Sequence, residues 1–412
     1  MFWTLFAKEC RQTVKSLIYW LTVIILTLFF FSQLGDMQIT GKPAKGQEDY
    51  GVKYSDDSQV IMENTLGMLA EEYYGGKYST YPIGFYKQVK PDKEENQRIG
   101  KILEETTGIT DMKVIEDLMD EHYNTGEMIM NPISVSPVKG LSYDHFRKLM
   151  KEVDDILGGG SNYGDARIRM NAIEPRTYED AMEEYNILVE KDHLTGGYAR
   201  LFCDYMGIML SILPVFLAVT RGLRDRRARM QELIAVRKAS SAAIILSRYL
   251  AMLVMLMLPV LILSCFPLAE CMRYASDAGI SIDYLAFVKY SFGWLLPSVM
   301  TAASVGLVLT VFTDTALGIL VQGIWWFVSI FISMPGMEGG MYGWSLVPRH
   351  NTEGNYSGFQ EGFAQLAANR ALYAGISVVL ILVTIWIYSK KRRGKMDIHG
   401  KISANRKSKS KA

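Results

Sequence analysis

The sequence predicts a polytopic α-helical membrane protein: six transmembrane helices, with a large, mainly helical external domain between the first and second. Six long apolar segments support this prediction, and the first, SLIYWLTVIILTLFFF from Ser16 to Phe31, carries no charge. Crossing the hydrocarbon core takes roughly 20 mostly apolar residues. One polar insert of about 165 residues separates the first segment from the second. Six such segments exceed what a soluble core needs, which argues against the alternative that they are buried helices of a large soluble domain.

The boundaries follow from where the apolar runs begin and end. We predict an amphipathic interfacial N-terminal helix at 1–15, because apolar residues recur at helical spacing there. A simple inward extension of the first span is the alternative. The predicted order continues as span one 16–34, external domain 35–200, span two 201–220, cytoplasmic segment 221–241, span three 242–266, external loop 267–284, span four 285–313, span five 315–334, external loop 335–370, span six 371–389 and basic cytoplasmic tail 390–412.

Charge sets the predicted orientation. Basic residues cluster before span one, after span two and after span six, whereas the insert holds 31 Asp and Glu against 19 Lys and Arg. Short basic segments stay on the cytoplasmic side. We therefore expect both termini in the cytoplasm and residues 35–200 outside the cell membrane, in a bacterial cell.

Residues 35–200 read as one helical domain with a few extended connectors. The predicted helices are Asp57–Tyr74, Lys93–Thr107 with Asp92 and Glu95 as a capping box, Thr110–Tyr123, Ser142–Leu157 ending at Gly158–Gly160, and one that Thr177 and Asp180 begin. Tyr81–Val89 and Asn131–Val138 are short strands or connectors. The insert has no cysteine, so no disulfide stabilises it.

No residues in the chain form a recognisable catalytic, metal or cofactor site. The run Gly158–Gly160 lacks the lysine of a phosphate-binding loop and is better read as a helix end. His122, His145 and His193 are far apart and lack paired ligand spacing. We expect no enzymatic activity in this chain, no cofactor and no nucleic-acid partner.

The segment after span two is the most highly charged. Leu223, Met230, Leu233 and Ile234 are placed to line one face of a short helix, with charged residues on its other faces. A positive-inside anchor is the alternative interpretation.

This arrangement resembles ABC-2 type permeases, the membrane subunits of ABC exporters whose ATPase is often a separate polypeptide. Arg224-Asp225-Arg226 matches their charged stretch, Met230-Gln231-Glu232-Leu233 with Arg237 matches the end of their coupling helix, and Ser247–Ala251 resembles the start of their third span. Arg227-Ala228-Arg229 stands where the family often has Glu-x-Gly. The resemblance implies ATPase-coupling residues at Arg224, Asp225, Arg226, Arg227, Arg229, Met230, Glu232, Leu233 and Arg237.

The same resemblance implies two copies of a separate ABC ATPase, which bind the ATP and Mg, and a homodimer or a heterodimer with a related permease in the lipid membrane. It also implies short re-entrant helices within 335–370, for which an ordinary outer loop is the alternative. A different class of function is left open: a membrane-anchored receptor or assembly factor that binds a ligand through its external domain without transport.

Within the spans, few polar residues stand out. Pro214 and Pro297 are expected to kink spans two and four, and Asp314 to cap span five. Gln322, Ser333, Thr301 and Ser304 line an interface or cavity, or serve only as packing contacts. The spans lack ionisable groups at mid-membrane, which favours an external energy source over proton coupling.

Overall fold

The computed structural model describes residues 1–82, 86–124, 133–165, 167–228, 234, 238–333, 339–394 and 396. The chain forms two compact units. One comprises Met1–Gly41 together with Glu184–Ala412, and the other is the insert Lys42–Glu183. Each is described by itself below.

The first unit is a bundle of apolar helices. Within the described residues, five helical stretches are long and apolar enough to cross a membrane, and Leu317–Phe331 is a shorter apolar one. Its helices are α1 (Phe2–Val14), α2 (Leu17–Leu34), α8 (Thr195–Leu210), α9 (Leu213–Arg227), α10 (Ser241–Ala278), α11 (Ala286–Tyr290), α12 (Leu296–Thr313), α13 (Leu317–Ser333) and α14 (Tyr356–Arg392). The chain is therefore a multi-pass helical membrane protein.

Several helices are longer than the apolar runs from which they were predicted. Helix α14 begins at Tyr356, inside the predicted external loop, and α8 begins at Thr195, before the predicted start of span two. Polar residues at the end of a helix lower the local hydropathy, so they fall outside the apolar run even though the backbone there is still helical. Buried contacts of these end residues, given below, explain why the helices extend that far.

Prolines lie beside irregular turns in two of the predicted spans. Span two is two helices, because α8 ends at Leu210 and α9 begins at Leu213 with Pro214 in its first turn. A π-helical turn, Ser291–Leu295, precedes α12, which carries Pro297 in its first turn. Span two is therefore interrupted beside Pro214, whereas residues 286–313 are helical throughout and the kink expected at Pro297 stays a prediction.

Helix α12 lies at the centre of the bundle and packs against α9, α13 and α14. A small residue allows the close approach to α9: a Cβ added at Gly306 would lie 2.8 Å from the Cβ of Ala218. At the end of α12, Asp314 adopts a left-handed conformation with φ of 57° and ends that helix. The prediction that Asp314 caps span five is wrong, because Thr315 Oγ1 instead accepts from the backbone N–H of Leu317.

The insert is mainly helical, as predicted. Its helices are α3 (Ser58–Gly75), α4 (Lys93–Thr107), α5 (Met112–Asn124), α6 (Tyr143–Ile156) and α7 (Tyr178–Asn186), of which α7 continues into a π-helical stretch, Ile187–Lys191, in the first unit. Strands β1 (Val52–Tyr54) and β4 (Ile173–Pro175) pair antiparallel, as do β2 (Tyr78–Thr80) and β3 (Lys87–Val89). Residues 133–138 form no strand.

Local signals in the insert are confirmed in detail. Asp92 and Glu95 form the predicted capping box of α4. Gly158, Gly159 and Gly160 all have positive φ, which explains why α6 ends there. Apolar side chains of α3, α4 and α6 form the core between them, and Leu66, Ile99 and Phe146 are fully buried.

Candidate functional site

The predicted cytoplasmic segment 221–241, which we call the coupling segment, begins inside a buried group of charges. We call Glu9, Arg221, Arg224, Asp225 and Arg248 the Glu9 cluster. Glu9 lies on α1, Arg248 lies on α10, and the other three lie on α9. The cluster therefore joins the N-terminal helix to the helices on either side of the coupling segment.

Glu9 is the acceptor at the centre of the cluster. The Arg224 guanidinium donates to both carboxylate oxygens, at 2.9 Å to Oε2 and 2.8 Å to Oε1. Arg221 Nη1 lies 3.6 Å from Oε2 and Arg248 Nε lies 3.8 Å from Oε1. Burial opposes the charge on Glu9, but the hydrogen bond from Arg224 and the positive charges of the three arginines outweigh it and lower its pKa below the ordinary value.

A second carboxylate completes the cluster. Arg248 Nη2 donates to Asp225 Oδ2 at 2.9 Å, and Arg224 Nε lies 3.4 Å from Asp225 Oδ1. Arg221 reaches back to α1 and donates to Thr13 Oγ1 at 2.6 Å. Three arginines thus share two carboxylates in a region largely closed to water. Breaking one such pair leaves a charge without its partner, which is costly when buried.

Neighbouring contacts extend this arrangement to the ends of α12 and α14. Arg226 donates to the backbone carbonyl of Asp314 at 2.7 Å, and Lys391 pairs with the Asp314 carboxylate at 2.6 Å. Arg392 donates to the carbonyl of Ala239, just before α10, at 2.5 Å. Both flanks of residues 228–240 are therefore bound to other helices.

Comparison with known protein families identifies the family of the chain. Residues 84–344 match the family model described as "ABC-2 family transporter protein". The chain belongs to the ABC-2 transporter family. No curated protein and no solved structure matches. Members of the ABC-2 family are non-catalytic transmembrane components, and membership implies a partner ATPase.

The ABC-2 match covers the coupling segment, yet the predicted coupling residues lie in different environments. Arg224 and Asp225 are engaged in the Glu9 cluster, whereas Arg226 is exposed and contacts Asp314. Arg227 is the last residue of α9. The remaining predicted coupling residues lie outside the described residues: Arg229, Met230, Glu232, Leu233 and Arg237. Their role in coupling stays a prediction.

Sequence reasoning missed Glu9 and Arg248 as members of this site. Glu9 stands 215 positions from its partner Arg224, and no local pattern links the two. A signal was present for Arg248, because an arginine inside a long apolar run needs an acidic or polar partner.

A second set of buried polar contacts holds residues 339–355, which we call the loop segment. Asp204 on α8 accepts from the backbone N–H groups of His350, at 2.8 and 2.9 Å, and of Asn351. Arg370 on α14 donates to the carbonyl of Leu346 at 3.2 Å, and Arg200 donates to that of Glu353 at 3.2 Å.

Ionisable side chains do lie within the membrane-length helices, but the expectation of no ionisable group at mid-membrane stays a prediction. Arg200 and Arg370 lie just before the predicted spans 201–220 and 371–389, and Asp204 and Arg248 lie in the first two turns of spans two and three. Arg200, Asp204, Arg248 and Arg370 are all buried and all lie within helices long enough to span a membrane. Arg200 pairs with Asp192 at 2.9 Å, whereas Asp204 and Arg370 bind backbone groups of the loop segment. Within the described residues, no group of three or more His, Cys, Asp or Glu side chains is placed to hold a metal ion.

Proposed function

We propose that this chain is the permease subunit of an ATP-driven exporter, that it forms the translocation path as a dimer, and that separate ATPase subunits act on it through residues 221–241. Family membership supports the transport role. The Glu9 cluster is the observation that carries the coupling proposal.

The cluster connects the coupling segment firmly to the helices beside it. A flexible anchor could be displaced by a partner protein without moving those helices. Here, the helix that enters the segment and the helix that leaves it are bound to each other through Asp225 and Arg248, and both are bound to α1 through Glu9. A displacement of residues 228–240 is therefore passed to three helices together.

The contact with the ATPase is assigned to the apolar side of the segment. Because Arg224 and Asp225 are occupied within the chain, they position the segment, and we assign docking to Met230, Leu233 and their charged neighbours Arg229, Glu232 and Arg237. An apolar side chain in a groove of the partner would supply the affinity, and the charges would set the register.

Orientation follows the same proposal. The basic segments that flank the Glu9 cluster support a cytoplasmic position for it and an external position for the insert. A cysteine at Glu104 should react with a membrane-impermeant reagent in intact cells, whereas one at Ala228 should not; the reverse labelling would contradict this orientation.

Co-purification tests the function. The tagged chain, extracted in mild detergent, should carry with it a polypeptide that hydrolyses ATP, and the chain alone should not hydrolyse ATP. Leu233→Asp should insert normally but lose the ATPase, because it places a charge in an apolar contact. Lys238→Asp, an exposed change in the same segment, is the matched control. Full ATPase binding by Leu233→Asp would mean that the docking surface lies elsewhere. Failure of the unmodified chain to co-purify with any ATPase would contradict the transport proposal and favour the receptor alternative.

A further inference from the structure

Span two is broken in a way that leaves its backbone dependent on another helix. Ser211 and Ile212 separate α8 from α9, and Pro214 has no N–H to offer the carbonyl four residues earlier. A membrane span tolerates such a break only where neighbouring protein groups satisfy the freed backbone.

Helix α13 supplies donors to two carbonyls beside the one that Pro214 leaves free, and one of them, the Ile208 carbonyl, also accepts from Ser211 Oγ at 3.1 Å. Gln322 Nε2 donates to the carbonyl of Ser211 at 2.6 Å, and Trp326 Nε1 donates to the carbonyl of Ile208 at 2.7 Å. The two donors are one helical turn apart and therefore lie on the same face of α13. Together they hold the last turn of α8 and the break itself.

The arrangement leaves one buried acceptor unused. Gln322 is fully buried, and its Oε1 has no hydrogen-bond partner among the described residues. An unpaired buried acceptor is unfavourable. A second arrangement of the break, in which this oxygen gains a donor, would therefore recover part of the free energy needed to move.

The helices on the two sides of the break are bound to different parts of the molecule. On one side, α8 is held to the loop segment through Asp204. On the other side, α9 is held in the Glu9 cluster through Arg224. Helix α13 follows the turn at Asp314, to which α9 is bound through Arg226. A displacement of α9 therefore reaches the break along α9 itself and through α13.

We propose that the break at Ser211–Ile212 is a hinge, and that Gln322 and Trp326 are positioning residues that set the angle between the two halves of span two. This inference rests on the proposed function. With both hydrogen bonds in place, movement of α9 turns α8 and so reaches the loop segment. Without them, α9 moves and α8 does not follow.

Hydrogen–deuterium exchange tests the hinge in the complex with the co-purified ATPase, with and without ATP and vanadate. In the unmodified protein, trapping should change exchange about threefold or more in peptides from both 195–210 and 213–227. In Gln322→Leu, the change in 213–227 should persist and that in 195–210 should be lost. Trp326→Phe, which keeps the ring but removes the donor, should show a partial loss, and it carries the test if Gln322→Leu fails to fold.

Gln33→Leu makes the same chemical change at an exposed position and is the matched control. A role limited to stability would lower both responses equally, so loss confined to 195–210 supports the hinge. Equal responses of both halves in Gln322→Leu or in Trp326→Phe would overturn the hinge alone. No response in either half of the unmodified complex would overturn the proposed function, and the hinge with it.

Discussion

The two buried polar regions of the helical unit are held by different kinds of contact. In the Glu9 cluster, side-chain charges on three helices pair with one another. At the loop segment, Arg370 and Asp204 bind mainly backbone carbonyls and N–H groups. Charge pairs can exchange partners as helices shift, whereas a side chain that satisfies several backbone groups holds one loop conformation. We interpret the Glu9 cluster as the region that moves and the loop segment as the region whose conformation stays fixed.

Removing Arg370 should have the largest effect. Its guanidinium donates to Ser298 Oγ at 2.9 Å and to the carbonyls of Trp294 and Leu346 at 3.2 Å each. Arg370→Met would remove these buried hydrogen bonds, although the Leu346 carbonyl keeps Ser298 Oγ as a donor at 3.2 Å, and we expect a loss of about 4 kcal/mol in the free energy of unfolding. Denaturant titration of the purified protein measures it, with exposed Arg393→Met as the control. A loss below about 1 kcal/mol would show that the loop segment does not depend on this side chain.

Acid should weaken the loop segment before it weakens the Glu9 cluster. Burial, with the nearby charge of Arg200, lowers the pKa of His350 to about 4, so the neutral ring is favoured in the folded protein. A group whose folded pKa is depressed stabilises above its unfolded pKa, and that stability is lost as pH falls. Between about pH 6.5 and pH 4, His350 should cost about 3 kcal/mol of stability.

Comparing how thermal stability depends on pH in two variants tests whether His350 causes the loss. Thermal unfolding from pH 7 to pH 4.5 should show a clearly smaller loss in His350→Gln than in the unmodified protein, and His145→Gln, at an exposed position on the insert, controls for loss of a histidine. Parallel pH profiles for His350→Gln and the unmodified protein would remove His350 as the cause. Because the pKa of Glu9 is lowered, the stability that Glu9 contributes should persist until the pH falls below the pKa of an ordinary carboxylate.

Some of this architecture could be predicted from the sequence and some could not, for physical reasons. The capping box of Asp92 and Glu95 acts within one helical turn, so the residue order alone predicts it. Proline at 214 predicts a disturbance, but the hydrogen bond to the break comes from Gln322, which lies 111 positions from Ser211. Likewise, the partners of Glu9 are set by helix packing, which a single sequence does not display.

Neutralising Glu9 should have a smaller effect on stability. Glu9→Gln keeps the shape but removes the charge shared by three arginines, and we expect a loss of about 2 kcal/mol because Arg224 remains partly exposed. Combined with Arg224→Gln, the two losses should fall short of additivity by about 1 kcal/mol or more. Glu361→Gln, at an exposed position of α14, is the control. Strict additivity of the two changes would mean that the pair is not coupled.

Photo-crosslinking tests the coupling proposal most directly. A photoreactive phenylalanine analogue at Leu233, in the coupling segment, is compared in native membranes with one at Tyr86, an exposed position of the insert. The account predicts that Leu233 forms an adduct with an ATP-binding polypeptide and that Tyr86 does not. An ATP-binding adduct from Tyr86, or none from Leu233 in membranes where the ATPase co-purifies with the chain, would contradict it.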